Sequence, residues 1–281
     1  MIRNMNKYVF IDVDGTIFNP KTRKIPSSTL KALNKAHENG HHLFITTGRP
    51  LSNIPESITS LPVDGLILSC GAYIIIDQKL VYEGAYDRDI IDNVSAYLIK
   101  HNIGFALEGP KKNYLYGEAV DFFKQYVALE YESDEEKMNF LKSINMCPYV
   151  DIKEDDYKDI LKITALTLNR DNLEGLMKIL DFSRVSSFID IEKGNFYKSE
   201  ITPKGVNKAT GIEFVLNYCQ ADHEDSIGIG DSLNDLEMID YVNTSVVMGQ
   251  ATDEVKAHAD IVTDTIDNDG FYKAFELLGL I

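Results

Sequence analysis

The 281-residue chain has few basic residues and no long apolar segment. Lysine and arginine together number 28, against 44 aspartate and glutamate residues, which gives a formal net charge of −16. Since clusters of basic residues are also absent, the composition disfavours binding to nucleic acid or to anionic membrane surfaces. A small anionic substrate therefore has to be attracted by positive groups placed locally.

Cysteine is also scarce, with single residues at positions 70, 147 and 219. Their spacing fits no metal site, and an odd, unpaired set is typical of a reducing compartment. The apolar run near the N-terminus, residues 8–13, is too short for a signal peptide and is interrupted by Asp12. No segment approaches the length of a membrane span. We therefore expect a cytoplasmic protein.

The stretch from Tyr8 to Phe18 combines an apolar run with two carboxylates. The β-branched and aromatic residues of the run predict a strand that is buried on both faces of a parallel sheet. Asp12 and Asp14 end this strand two positions apart, so an extended backbone points both side chains the same way, and Gly15 permits a sharp turn. Such a pair suits a nucleophile beside a proton donor. Aspartate is also a common turn residue, so local sequence leaves a solvated turn open at either position.

One short stretch, His37 to His41, matches the zinc-protease pattern in which two histidines share a helical face. The helix that contains His37 is predicted to begin with Ser27 or Ser28 as its N-cap. Gly40 predicts that this helix ends before His41, so the two rings would not align. No third ligand follows at a suitable spacing. We therefore interpret the match as accidental.

Three further stretches place polar residues directly after an expected strand or before an expected helix. They are Ile45-Thr46-Thr47-Gly48-Arg49, Gly205-Val206-Asn207-Lys208 and Gly228-Ile229-Gly230-Asp231-Ser232-Leu233-Asn234-Asp235. Because the strand ends of a parallel sheet share one edge, Asp231 and Asp12 can meet there. Clustered carboxylates raise one another's pKa, and a hard cation with oxygen ligands, for which Mg²⁺ fits best, relieves the repulsion.

The sequence Asp-x-Asp-Gly-Thr after a hydrophobic strand, followed in order by these three stretches, resembles the motif set of the haloacid dehalogenase (HAD) superfamily. Its details are similar to the Cof-type branch of sugar-phosphate phosphatases. Agreement of four motifs in order is far more specific than any one of them. The resemblance implies a Mg²⁺-dependent phosphatase that hydrolyses a small phosphomonoester through an aspartyl-phosphate.

The resemblance also implies a role for each matching residue. Asp12 would be the nucleophile, and Asp14 would protonate the leaving oxygen and then activate water. The phosphoryl oxygens would be held by Thr47, Gly48, Lys208 and Asn234.

The implied metal site uses oxygen ligands. Mg²⁺ would bind the carboxylates of Asp12 and Asp231 and the backbone carbonyl of Asp14, with Asp235 in the shell behind them. Arg49, with its planar set of donors, is a tentative substrate-binding residue, although a surface ion pair would also explain it.

Neighbouring residues compete for two of the phosphate roles. Thr46 precedes Thr47, but the family places its phosphate-binding threonine just before the Gly-Arg pair. Lys204 precedes Lys208, but the family pattern Gly-Val-polar-Lys selects Lys208. Local sequence alone would make Lys208 an exposed helix residue.

The chain departs from the family pattern at two positions. Relatives commonly have asparagine where this chain has Cys70, and again after the Met-Gly pair, where this chain has Gln250. Any contact that relatives make through those asparagines stays open here.

Strands alternating with helices at both ends of the chain predict an α/β fold, a doubly wound, mostly parallel Rossmann-like sheet. In the middle, short strands mix with helices, among them those predicted at residues 122–129, 134–143 and 173–180. This mixture predicts an inserted α+β domain, whose position matches the C2-type cap of the superfamily. Cap residues that could set specificity are Lys112, Tyr114 and Tyr116. The expected organisation is residues 1–84 and 200–281 for the core, and residues 85–199 for the cap.

The sequence leaves two other functions open. A phosphomutase of the same superfamily would use Asp14 too, and would convert a hexose 1-phosphate into its isomer without releasing phosphate. A non-catalytic phospho-acceptor such as a response-regulator receiver also clusters aspartates at a strand edge, but it is about half as long and has no cap.

Overall fold

The computed structural model of the protein describes residues 6–117, 119–121, 145–167, 171, 175, 185–191 and 196–281. The chain divides into two compact units. The first, which we call the core, comprises Met1–Gly48, Glu56–Tyr82 and Asn207–Ile281; the second, which we call the cap, comprises Arg49–Pro55 and Glu83–Val206. The helices predicted at 122–129 and 134–143 lie outside the described residues, as does nearly all of the one predicted at 173–180.

Fourteen strands and seven α-helices lie within the described residues. The strands are β1 (Tyr8–Ile11), β2 (His42–Thr46), β3 (Gly65–Leu68), β4 (Tyr73–Ile76), β5 (Lys79–Glu83), β6 (Gly104–Glu108), β7 (Asn113–Tyr116), β8 (Met146–Pro148), β9 (Lys162–Thr167), β10 (Val185–Ile191), β11 (Phe196–Ile201), β12 (Ser226–Gly230), β13 (Thr244–Val247) and β14 (Ile261–Val262). The helices are α1 (Ser27–Glu38), α2 (Glu56–Thr59), α3 (Arg88–Lys100), α4 (Lys208–Cys219), α5 (Leu236–Tyr241), α6 (Asp253–Lys256) and α7 (Gly270–Leu277).

The core is built on an eight-stranded sheet with the order β14-β13-β12-β1-β2-β3-β4-β5. The strands from β14 to β3 in this order are parallel, whereas β4 runs antiparallel to β3. The chain proceeds from β1 to β3 on one side and later returns on the other side of β1 with β12. This topology confirms the predicted doubly wound, mostly parallel sheet, and it places the switch point, where such folds bind ligands, between β1 and β12.

The central strands are apolar on both faces because helices cover both faces of the sheet. Phe10, Phe44 and Ile67 pack against Ile212 of α4 and Met238 of α5. The alternate residues of β1 and β2, which point the other way, are also fully buried. Helix α1 contacts β2 and α7. This two-sided burial is the origin of the continuous apolar runs in the sequence.

Helix α1 departs from its prediction at its start but not at its end. Ser27 is already helical and Pro26 occupies the N-cap position without a side-chain bond, so the predicted serine cap is wrong. Gly40 adopts the expected left-handed conformation, with φ of 88°. His41 lies beyond the helix and its ring accepts a hydrogen bond from the Lys7 backbone N–H. The histidine pair therefore does not share a helical face.

The cap contains a six-stranded sheet with the order β10-β11-β9-β6-β7-β8, antiparallel except for the β7–β8 pair. Helix α3 packs on one face through Ile91, Val94 and Leu98, against Phe105 and Leu107 of β6. The cap is therefore an α+β unit, as predicted. Across the described ranges, no helix combines the length and the hydropathy needed to span a bilayer.

The opposite face of the cap sheet carries buried charges. Lys162 is 2% exposed, and its Nζ lies 3.0 Å from Glu108 Oε2 and 2.8 Å from Glu200 Oε1. Burial alone would raise the pKa of the Glu200 carboxyl, but Lys162 and Lys198 outweigh burial and hold that pKa well below its ordinary value. Glu200 is therefore held as an ion inside the cap, beside the buried Lys162.

Glu200→Gln should destabilise the protein at neutral pH, because it leaves part of the Lys162 charge uncompensated in the interior; we expect about 3 kcal/mol. Since the pKa of Glu200 is lower in the folded than in the unfolded state, its stabilisation is complete above the unfolded pKa and is lost as the pH falls through the folded pKa. The difference in the free energy of unfolding between the variant and wild type should thus become smaller below about pH 4. Urea unfolding of both proteins, followed by circular dichroism at several pH values, measures this free energy.

The control is Glu154→Gln, which removes a largely exposed partner of Arg88. Such a surface pair should change stability by less than about 1 kcal/mol. Equal effects of the two substitutions, or a Glu200 effect that does not vary with pH, would contradict the buried ion network.

Candidate active site

Asp12 lies directly after β1, at the switch point of the core sheet. Its backbone N–H donates to the Ile229 carbonyl at 2.9 Å, so the pairing with β12 extends one residue beyond the strand. Asp12 is only 4% exposed, whereas Asp14 is exposed. Because β1 ends at Ile11, strand alternation does not fix the direction of Asp14, and the sequence argument for a shared direction does not apply.

The turn after Asp12 brings a second carboxylate close. Gly15 has φ of 86°, and a Cβ on it would overlap the Asp231 carboxylate. Gly15 is therefore required both by its left-handed conformation and by this approach. Asp12, Asp231 and Asp235 each offer an oxygen, and these three oxygens lie within 4.8 Å of one another. The predicted meeting of carboxylates at the sheet edge is present.

Lys208 lies among these carboxylates. It is 1% exposed, and its Nζ lies 2.7 Å from Asp12 Oδ1 and 2.5 Å from Asp235 Oδ1. It also donates to Asn234 Oδ1 at 3.4 Å. Burial would lower the pKa of the ammonium, but the two carboxylates outweigh burial and raise it, so the group stays charged. Lys204 is exposed, so the structure selects Lys208 for this cluster.

The start of α4 fixes Lys208 in place. Asn207 is its N-cap, and its side chain accepts a hydrogen bond from the Thr210 N–H at 2.9 Å. This cap makes Lys208 the first helical residue. The local-sequence interpretation of Lys208 as an exposed helix residue is therefore wrong, because the neighbouring strand ends cover it.

Asp235 uses both of its oxygens within the protein. Oδ1 accepts from Lys208, and Oδ2 accepts from the backbone N–H groups of Asp231 and Ser232 at 3.1 and 3.0 Å. A Cβ on Gly230 would collide with the Asp235 carboxylate. Asp235 is thus placed to orient the loop and the lysine.

Asp231 has one oxygen left over. Its Oδ1 is buried and has no hydrogen-bond partner among the described residues. Burial, followed by the Asp235 charge, raises the pKa of Asp231 to about 7. Burial and the Asp235 charge likewise raise the pKa of Asp12, despite the opposing effect of Lys208. A buried oxygen without a partner, in a set of mutually repelling carboxylates, fits a hard divalent cation such as Mg²⁺.

The Thr47 turn follows β2, the neighbour of β1. Thr47 is buried; its N–H donates to the Ile67 carbonyl at 2.9 Å, and its carbonyl accepts from the Cys70 N–H at 3.1 Å. The neighbouring Thr46 is the last residue of β2, and its buried hydroxyl has no partner within the described ranges. Gly48 ends the core segment. Arg49 belongs to the cap, where its guanidinium donates to the Asn53 carbonyl at 3.4 Å.

The two departures from the family pattern have different structural consequences. Ser69, Cys70 and Gly71 form a run of left-handed residues, with φ of 49°, 56° and 102°, a conformation that asparagine tolerates better than cysteine. Cys70 nevertheless contacts Thr47 through its backbone, so that contact does not depend on the side chain. Gln250 reaches the site itself, since its amide donates to the Gly15 carbonyl at 2.6 Å.

The predicted cap candidates are engaged within the cap. Tyr114 is buried in the cluster under α3, and Tyr116 stacks on Phe105. Lys112 Nζ lies 3.3 Å from Asp156 Oδ1. The buried Lys162 network was not found from the sequence, because no motif marks it.

Comparison with known proteins agrees with this geometry. A family model described as haloacid dehalogenase-like hydrolase matches residues 9–275. The putative phosphatase YkrA of Bacillus subtilis (strain 168) is 30% identical over 276 residues, covering 98% of this chain and 99% of YkrA. The 5-amino-6-(5-phospho-D-ribitylamino)uracil phosphatase YcsE of the same organism is 28% identical over 270 residues, covering 95% of this chain and 94% of YcsE.

Similarity to solved structures extends over the whole chain. The HAD subclass IIB sugar phosphatase BT4131 superposes with a TM-score of 0.79 at 25% identity, covering 98% of this chain and all of BT4131. The family match and the structural match thus each cover nearly the whole chain. The chain belongs to the haloacid dehalogenase-like hydrolases, as a Cof-type phosphatase of phosphoric monoesters.

Proposed function

We propose that the protein is a Mg²⁺-dependent phosphatase that hydrolyses a small phosphorylated metabolite through an aspartyl-phosphate on Asp12. The observation that supports this most is the position of the Lys208 ammonium, which contacts Asp12 and Asp235 at the switch point beside Asp231. The arrangement supplies a nucleophile, a fixed positive charge and a set of hard oxygen ligands in one place.

Mg²⁺ would be held by the carboxylates of Asp12 and Asp231 and by the backbone carbonyl of Asp14. When bound, it would neutralise the negative charge that the carboxylates and a phosphoryl group bring together. Asp235 would hold the loop behind these ligands, since both of its oxygens are already bonded.

In the first step, an Asp12 carboxylate oxygen attacks phosphorus and the ester P–O bond breaks. The leaving oxygen takes a proton from Asp14. Asp12 suits the nucleophile because it is buried beside Lys208, and Asp14 suits the acid because its exposed side chain can reach a leaving group. Lys208, Asn234, Thr47 and Gly48 would hold the phosphoryl oxygens, because phosphoryl transfer depends chiefly on positioning and charge neutralisation.

In the second step, the Asp14 carboxylate takes a proton from water as the water oxygen attacks phosphorus. The bond between phosphorus and the Asp12 oxygen breaks, which releases inorganic phosphate and restores the Asp12 carboxylate. The starting protonation state of Asp14 is restored as well. Atoms and protons therefore balance over the cycle.

The substrate class follows from charge and from the relatives. With a net charge of −16, attraction of an anion falls to groups such as Lys208 and Arg49. BT4131 is described as a sugar phosphatase, and YcsE as the phosphatase of a phosphoribitylamino compound. We propose a hydroxylated phosphomonoester of similar size for this chain. Both relatives are named as phosphatases, which supports hydrolysis over phosphomutase activity.

Asp12→Asn should abolish hydrolysis while the fold is retained, because the amide is a poor nucleophile of the same size. We expect kcat to fall by about four orders of magnitude or more. Phosphate release from p-nitrophenyl phosphate and from a panel of sugar phosphates, with Mg²⁺, measures the loss, and circular dichroism checks the fold. Asp155→Asn, at an exposed cap position, is the control and should keep full activity. Substantial turnover by the Asp12 variant would refute the nucleophile.

Lys208→Met and Lys204→Met separate the two lysines of the same segment. Removing Lys208 leaves buried carboxylates uncompensated, so we expect a loss of about 3–5 kcal/mol in stability. The kcat should fall by about 10²–10³ as a charge donor to the transition state is lost. Removing the exposed Lys204 should change stability by less than about 0.5 kcal/mol. Steady-state kinetics and urea unfolding of both variants give the comparison, and equal behaviour of the two would contradict the assignment.

A further inference from the structure

The Gln250 side chain connects three separate segments of the core. Its Nε2 donates to the Gly15 carbonyl at 2.6 Å and lies 3.5 Å from Asp231 Oδ2. Its Oε1 accepts from the Ile266 backbone N–H at 3.0 Å. One neutral amide thus links the turn after the nucleophile strand, the carboxylate after β12 and the loop before α7.

The segment around Gln250 is itself fixed by backbone bonds. The Met248 N–H donates to the Gly230 carbonyl, and the Gly249 N–H donates to the Asp264 carbonyl, each at 3.0 Å. The base of the side chain is therefore anchored, and its length decides which groups it can reach. Asparagine, one methylene shorter, would reach about 1.5 Å less and could not keep both the Gly15 and the Ile266 bonds.

The contacts of Gln250 fall on the backbone and the oxygen that shape the proposed metal site. The Gly15 N–H donates to the Phe18 carbonyl at 2.9 Å, so Gly15 is bonded through its N–H as well as through its carbonyl. The Gly15 N–H belongs to the peptide that carries the Asp14 carbonyl, and the Gly15 carbonyl belongs to the next peptide, so the two bonds fix the peptides on both sides of Gly15. Asp231 Oδ2 faces Gln250, while Oδ1 is the buried oxygen that has no partner in the described part of the chain.

We propose that Gln250 is a positioning residue for the divalent cation: it holds the Gly15 turn and Asp231 so that Asp231 Oδ1 and the Asp14 carbonyl are presented to the metal. The inference rests on the proposed function, because it concerns the metal site of that reaction. Gln250 touches no reacting atom, and its action passes through Asp231 and Gly15. Gln250 is an exposed residue, so it adds little to the apolar core.

The test compares Gln250→Met with wild type by calorimetric titration of Mg²⁺ in the absence of substrate. Methionine keeps the length and the unbranched shape but removes the donor and the acceptor. We expect the Kd for Mg²⁺ to rise about tenfold, as for other groups that orient metal ligands. Gln250→Asn should lose most of the same affinity because of its shorter reach. The kcat at saturating Mg²⁺ should stay within about threefold of wild type, since the reacting groups are intact.

Asn243→Met is the matched control, since it removes another exposed amide, just before β13 rather than after it. It should bind Mg²⁺ like wild type. An unchanged Kd for Mg²⁺ in Gln250→Met would overturn the positioning role, even if the kcat and the Tm without metal were lower. The proposed metal site itself would stand in that case. Failure of wild type itself to bind Mg²⁺ would overturn both the metal site and this inference.

Discussion

The buried contact of Lys208 with Asp12 and Asp235 is the interaction on which the active site depends. It joins three segments that are far apart in the sequence, after β1, at the start of α4 and after β12. A lysine that is 1% exposed would be strongly unfavourable without carboxylates beside it, and the carboxylates would repel one another without the lysine. Each charge therefore depends on the others for its stability. The apolar residues buried in the surrounding sheet offset the free energy that it costs to bury these charges.

Sheet topology explains why these charges meet. β1 and β12 are adjacent and parallel, so the residues that follow each strand leave the sheet at the same edge. Gly15, in the turn after β1, and Gly230, the last residue of β12, allow carboxylates to approach the backbone where a Cβ would collide. Hydrogen bonds from Asp231 and Ser232 N–H groups then fix Asp235. The arrangement of the carboxylates thus follows from the strand order and from glycine at these two positions.

The parts of the fold that depend on local pattern were predictable from the sequence. The apolar runs gave the parallel strands, and Gly40 marked the end of α1, because hydrophobic period and left-handed glycines act over a few residues. The shared edge of parallel strands also predicted that Asp12 and Asp231 would meet, and the family resemblance added Lys208 to them.

Features that arise from tertiary contacts were not predictable. The burial of Lys208, the Lys162 ion network and the reach of Gln250 to Gly15 depend on segments about forty to more than two hundred residues apart, for which the local sequence carries no signal. The prediction of a serine N-cap for α1 was wrong for a local reason, since Pro26 occupies the N-cap position and Ser27 is already helical. The sequence therefore predicts where the motifs lie, but not which distant side chains their residues contact.

The most direct test of the central claim uses Asp14→Asn with p-nitrophenyl phosphate and Mg²⁺. The p-nitrophenolate of this substrate leaves without needing a proton, so Asp12 can still attack phosphorus. Hydrolysis of the resulting aspartyl-phosphate should be slow, because the variant lacks the base that activates water. We predict a burst of about one equivalent of p-nitrophenolate per enzyme. Mass spectrometry of the acid-quenched enzyme should then find one phosphoryl group on Asp12. A phosphoryl group on another residue, or turnover with no covalent phosphate at any time, would contradict it.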